Sequence, residues 1–121
     1  MIQLRSIISV ADNSGAKKIG VIRVLKGHLG RYAEIGDVVV SSVKEAEPRK
    51  TVKKKEIVRA LIIRQRKPYR RKDGTSIRFD DNAAVIIEGK EPKATRVFGP
   101  VAREIKEKGF NSVASMAEEL V

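Results

Sequence analysis

Six cations crowd into a nine-residue run of this sequence: Arg64, Arg66, Lys67, Arg70, Arg71 and Lys72, interrupted by Gln65, Pro68 and Tyr69. Four of them are arginines, whose planar guanidinium forks match phosphate oxygens better than an ammonium does. A segment so charged has no apolar face to bury and calls for an anionic partner. A second basic run precedes it, made of Arg49, Lys50, Lys53, Lys54 and Lys55. Residues 44–72 hold 13 Lys and Arg against three Glu, while the rest of the chain holds 13 against 12 acidic residues. The net charge of +11 is therefore a local patch on a nearly neutral body, which points to nucleic acid. A lysine-rich run is often no more than a solvated face. Here the arginine content, and the position of the run between two apolar segments, argue for binding. Tyr69 offers a ring either for stacking on an unpaired base or for packing beside Pro68. Five aromatic residues (Tyr32, Tyr69, Phe79, Phe98, Phe110) are too few for a sheet that stacks base after base. Recognition of shape and phosphates in a folded RNA fits better.

Other chemistries are poorly supplied. His28 is the only histidine and there is no cysteine, so disulfides and thiolate-held zinc or iron–sulfur sites are ruled out. Ser14, Ser41 and Ser42 have no base at a recognisable spacing, and Gly27-His28-Leu29-Gly30 does not match a phosphate-cradling loop. Asp80 and Asp81, beside Asn82, read as turn formers. No enzyme, no metal and no cofactor are expected. No apolar run approaches the ~20 residues of a membrane span, and the opening MIQLRSIISV is too short and too polar for a secretory signal. The expected location is the cytoplasm, or the interior of an organelle that makes the protein, with no membrane partner.

The elements that must position the cations are short strands. Residues 7–10, 17–25, 38–43 and 57–63 are rich in β-branched residues and bounded by turns, among them Ala11-Asp12-Asn13-Ser14-Gly15-Ala16 and Gly36-Asp37. Ala60-Leu61-Ile62-Ile63 and Ala83-Ala84-Val85-Ile86 flank the basic arm, and Asp73-Gly74 between them is a strong hairpin signal. Pairing symmetric about that dipeptide sets Leu61 opposite Ile86 and Ile63 opposite Ala84. The strand Val38-Val39-Val40 is apolar on both faces, so either the C-terminus or a partner covers part of the outside. After residue 99 the pattern turns helical: Pro100 suits a first turn, residues 101–108 a short helix with Gly109 as its stop, and Asn111 or Ser112 the start of a second running to about Leu120. Val113, Met116, Ala117 and Leu120 are its apolar stripe. The expected fold is mainly β: one domain over 1–121, with a small closed five-stranded antiparallel barrel and a protruding hairpin (about 1–94) and a C-terminal helical segment (about 95–121).

The spaced blocks also resemble a known family. Ala60-Leu61-Ile62-Ile63, nine residues, Asp73-Gly74, four residues, Phe79, two residues, Asn82, two residues and Val85-Ile86 is similar to the signature of large-subunit ribosomal protein fourteen. Ala11-Asp12-Asn13-Ser14-Gly15-Ala16, Arg31-Tyr32-Ala33 with Gly36-Asp37, Lys44-Glu45-Ala46 with Pro48-Arg49, and Thr95-Arg96-Val97-Phe98-Gly99-Pro100-Val101 agree, so the likeness spans the chain. The last block and the length look bacterial or organellar; the arm from Arg64 to Gly74 looks closer to the archaeal and eukaryotic branch.

The resemblance implies a structural protein of the large ribosomal subunit, bound to large-subunit rRNA on the face that meets the small subunit. It further implies contacts with small-subunit rRNA in intersubunit bridges and neighbours in the third and nineteenth large-subunit proteins. In bacteria and organelles a ribosome-silencing factor docks on that face. Carried over by position, Thr95 and Arg96, with Val97 and Phe98 of the same block and Arg49 nearby, belong to that face. Ser112 stands where the family often has lysine. The cations expected on rRNA are Lys17, Lys18, Arg31, Arg78, the five of the 49–55 run and the six of the arm, together with Tyr69. A free-standing oligonucleotide-binding barrel is the alternative that the charge and strand pattern also allow.

Overall fold

The structure, a computed structural model, describes residues 2–25 and 32–121; His28 and Arg31 fall outside the described residues. Five strands form the body: β1 (Ile7–Val10), β2 (Ala16–Val24), β3 (Val38–Ala46), β4 (Ile57–Arg64) and β5 (Ala83–Glu88). Each follows its neighbour antiparallel, and the parallel pairing of β5 with β1 closes the barrel. Closure leaves no long open edge among these strands.

Two apolar clusters share the central strands. Ile8, Ile19, Val39, Val43, Ala60, Ile62, Ala84 and Ile86 fill the barrel. Leu61, Ile63, Val85 and Ile87 point the other way and meet Ala102, Ile105, Phe110 and Val113 from the C-terminal segment. Alternation along β4 and β5 thus delivers apolar side chains to both faces, and both are buried. The choice left open by the sequence is answered: the chain's own C-terminus covers the outside of these strands.

The register differs from symmetric pairing by one residue. Leu61 lies opposite Val85, and Ala60 opposite Ile86. At the far end Arg71 N–H donates to the Thr75 carbonyl (2.8 Å) and Gly74 N–H to the Arg71 carbonyl (3.1 Å), so three residues form the turn, with Gly74 at φ +91°. A three-residue loop closed by a left-handed glycine shifts the partners at the tip, Tyr69 with Ile77 and Arg70 with Ser76, by one relative to a two-residue loop. Arg64, nearer the barrel, faces Ala83 in the symmetric register, and the bulge between Ile62 and Arg64 sets the one-residue offset within the barrel.

The C-terminal segment is less helical than its sequence suggests. Helix α1 spans only Glu104–Glu107 and α2 Asn111–Met116. Pro100–Val101 is a strand, paired in parallel with Glu119–Leu120. The carbonyls of Phe98 and Pro100 accept from Arg64 Nη1 at 2.9 and 3.0 Å, which holds this stretch extended until the chain passes residue 101. Gly109 does sit just past α1, at φ +94°.

Because both faces of β4 are covered, Leu61→Ala and Ile62→Ala should each cost about 2–5 kcal/mol in urea unfolding. Ile57→Ala, at the exposed start of the same strand, should change stability by about 0.5 kcal/mol or less.

Candidate RNA-binding surface

The basic arm is a hairpin whose cations divide into two sets. Beyond β4, Tyr69–Arg70 pairs with Ser76–Ile77, and the Asp73 carboxylate accepts from Thr75 N–H (3.0 Å) and Oγ (2.6 Å) to fasten the turn. Those bonds hold the Asp73 carboxyl below its usual range. Arg66, Lys67, Arg70, Lys72 and Arg78 are exposed. Arg64 and Arg71 turn inward. The Arg64 guanidinium pairs with Asp81 (Nε to Oδ1 3.1 Å) in addition to its two carbonyls, and its side chain is only 10% exposed. Arg71 Nε lies 3.0 Å from Glu104 Oε2 on α1, and its Nη2 donates to the Val121 carbonyl. The expectation of six outward-facing cations is therefore corrected to four, because a guanidinium fork serves a buried carbonyl pair or carboxylate as well as it serves a phosphate.

Gln65 is the polar residue that sequence reasoning missed. It is buried; Ile35 N–H donates to its Oε1 (3.1 Å), and its Nε2 donates to the Lys67 carbonyl (2.9 Å). A glutamine inside a basic run gives no sign of this. Tyr69 packs on the outer apolar cluster, where burial, then Glu104, pushes its hydroxyl above its ordinary value. That ring is committed to the protein and is a poor platform for a base.

The second basic loop joins β3 to β4. Arg49, Lys50, Lys53, Lys54 and Lys55 are all exposed, while Val52 is fully buried and anchors them. Val52 N–H donates to the Ser14 carbonyl (3.1 Å) and Glu47 N–H to the Gly15 carbonyl (2.7 Å). Gly15 is at φ +107°, and a Cβ there would stand 2.2 Å from Lys50 Cβ, so only glycine lets the loop lie this close. Lys17 and Lys18 emerge exposed from the same turn onto β2, beside that loop. Arg49 and Lys55 adopt φ of +64° and +70°, conformations that side chains rarely take.

The turn at residues 11–16 also holds the 95–98 segment. Asn13 Oδ1 accepts from the backbone N–H groups of Thr95 and Arg96, both at 3.0 Å, and its Nδ2 donates to Thr95 Oγ1 at 2.8 Å. Phe98 N–H donates to the Ala11 carbonyl at 2.7 Å. Beneath them, buried Asp12 receives Ser14 N–H and Oγ on one oxygen and Ile86 N–H (2.9 Å) on the other. Burial raises the Asp12 carboxyl against these donors. Thr95, Arg96 and Phe98 stay exposed, but Val97 is 2% exposed and belongs to the outer core, so of the four expected surface residues it is the one that faces inward. The turn itself is legible in the sequence; its partner 82 residues away is not.

Among the described residues no cluster of His, Asp and Glu has the makings of a metal site, and no helix is long and apolar enough to cross a membrane. A family model described as Ribosomal protein L14p/L23e matches residues 1–121.

The two sets of arginines separate on mutation. Arg64→Ala strands two carbonyls, Arg71→Ala one carbonyl and the Glu104 carboxylate, and each should lower unfolding free energy by about 2–4 kcal/mol. Arg70→Ala should cost about 0.5 kcal/mol or less. Chemical denaturation of the three variants checks this.

Proposed function

The chain belongs to the ribosomal protein L14p/L23e family, structural and non-enzymatic proteins of the large ribosomal subunit, and we propose that it binds large-subunit rRNA through the exposed cations of its two basic loops. Membership makes ribosomal RNA and ribosomal proteins its partners and the ribosome its place of work; the cytoplasmic or organellar setting is part of the proposal. The observation that carries it is the outward array of Arg49, Lys50 and Lys53–Lys55 on a loop pinned through buried Val52 to the Asp12–Ala16 turn. Two of these cations occupy left-handed backbone conformations at a cost of roughly 1 kcal/mol each, where glycine would be cheaper. A charge at such positions supports a role for it beyond folding. Arg66, Lys67, Arg70, Lys72, Arg78, Lys17 and Lys18 extend the same phosphate-binding capacity.

The 95–98 face is the proposed contact with the small subunit. Thr95 and Arg96 are exposed on a backbone fixed by Asn13, a rigid display suited to a bridge with small-subunit rRNA or to a silencing factor. Across the barrel, Ile7, Gly20, Ser42 and Ile57 lie opposite one another on adjacent strands, and Ile7 and Ile57 are 56% and 60% exposed. These two exposed isoleucines, at the ends of a row whose middle is buried Gly20 and half-buried Ser42, support protein neighbours there, and we assign them to the third and nineteenth large-subunit proteins. The family match favours this reading over a free-standing oligonucleotide-binding barrel.

Lys53, Lys54 and Lys55 replaced together by Ala should leave the melting temperature nearly unchanged but release the protein from large subunits in a high-salt wash. The slope of log K against log salt should fall by roughly 0.7–0.9 for each phosphate that is no longer neutralised. Retention like that of the wild type, or a wild type found only in the free soluble fraction, would refute the assignment. For Arg96→Ala, assembly should persist while subunit joining or silencing-factor docking weakens; unchanged joining and docking removes Arg96 from that surface.

A further inference from the structure

Between the root of the hairpin and the 98–100 stretch lies an open cleft of about 640 Å³, lined by Phe79, Phe98, Arg64, Arg78, Asp80 and Asp81. We propose that it receives a single unpaired nucleobase of rRNA, guanine best, an inference that rests on the RNA-binding reading above.

Phe98 is 41% exposed, an unusual state for a phenylalanine whose own backbone is so firmly held. Its N–H donates to the Ala11 carbonyl (2.7 Å), its carbonyl accepts from Arg64 (2.9 Å), and the next N–H, of Gly99, donates to Glu118 Oε2 (3.2 Å). Gly99 sits at φ +77°, and a Cβ there would meet Arg64 Nη1 at 2.6 Å. The ring is thus presented on a fixed frame, which limits the entropy lost when a flat partner stacks on it. The Arg96 guanidinium lies over the ring, 5.5 Å from its centroid, and backs it by a cation–π contact.

The charges choose among occupants. Asp80 and Asp81 at the rim would repel a phosphate but accept hydrogen bonds from base N–H groups, whereas exposed Arg78 and Arg96 can hold the flanking phosphates. Guanine alone among the four bases offers two adjacent donors, N1–H and N2–H, to match the two oxygens of one carboxylate. Arg64 holds both oxygens of Asp81 (Nε to Oδ1 3.1 Å, Nη2 to Oδ2 3.4 Å), which leaves the exposed carboxylate of Asp80 to meet that pair of donors. A base entering here places its face on Phe98 and its donor edge toward the carboxylates, as unpaired bases in RNA complexes are commonly read.

The full chain would be titrated by fluorescence anisotropy with two oligouridylates of equal length and charge, one carrying a central guanosine and the other a central abasic site. The guanosine probe should bind about tenfold more tightly, the size expected for one stacked base. Phe98→Leu should erase that difference, and Asp80→Asn should shrink the preference for guanosine over a central adenosine. Circular dichroism establishes that each variant is folded, and Asp80→Asn, at an exposed residue, tests the cleft if the Phe98 variant is not. Equal binding of the two probes, or a difference that survives Phe98→Leu, overturns the cleft assignment alone. If neither probe binds at moderate salt, the RNA-binding reading falls and takes the cleft with it.

Discussion

The guanidinium of Arg64 ties together three parts of the molecule. It sits at the end of β4, where the barrel gives way to the hairpin, and it reaches Asp81 on the returning limb and the carbonyls of Phe98 and Pro100 on the C-terminal segment. With the side chain only 10% exposed, removal of any one partner would leave a polar group with little access to water. Its geometry keeps residues 98–101 extended, delays the first helix to Glu104, and carries Val101, Ala102 and Ile105 down onto the outer face of β4 and β5. The covering of the barrel and the display of Phe98 thus follow from one side chain.

The Asp12–Ala16 turn does for the other end of the surface what Arg64 does for the hairpin. Its backbone carbonyls tie down the lysine loop through Val52 and Glu47, and its Asn13 side chain ties down Thr95 and Arg96. Because the same short turn governs both the basic loop and the 95–98 face, the spacing between those surfaces is fixed by covalent geometry and a handful of short hydrogen bonds. Such a shared foundation would suit the proposed contact with two bodies at once, since flexibility between the two surfaces would have to be given up on binding.

Much of this was legible from sequence because it is local. β-branched runs bounded by glycine, asparagine and aspartate placed four barrel strands and the apolar run Ala83–Ile86 the fifth, and Ile7–Val10 matches its expected bounds without adjustment. The charge count located both basic loops. What the sequence hid depends on partners far along the chain. Nothing in Arg64-Gln65-Arg66 tells that the first two side chains point into the protein and the third outward, because that is settled by a bulge at Ile63 and by carbonyls more than 30 residues away. Pro100 looks like the first residue of a helix on local grounds and becomes part of an edge strand, where its missing N–H costs nothing, because Arg64 claims the carbonyls around it. The one-residue register shift in the barrel arises at that same bulge, since Arg64 still faces Ala83 in the symmetric register while Ile62 faces Ala84.

The division between arginine and lysine follows from where each charge ends up. The two cations of the arm that the fold turns inward are both arginines, whose five fixed donors can satisfy a carboxylate and carbonyls together. The loop left in solvent is four-fifths lysine, a strongly hydrated point charge that would be expensive to bury. A body of nearly balanced charge can fold without help from an anion, since most of the +10 excess of residues 44–72 lies on the loop anchored through buried Val52 and on the hairpin. Mutual repulsion among those cations then opposes little more than the conformation of the loops themselves, two of whose residues already sit in the left-handed region. Phosphates would relieve that repulsion without requiring the barrel to move.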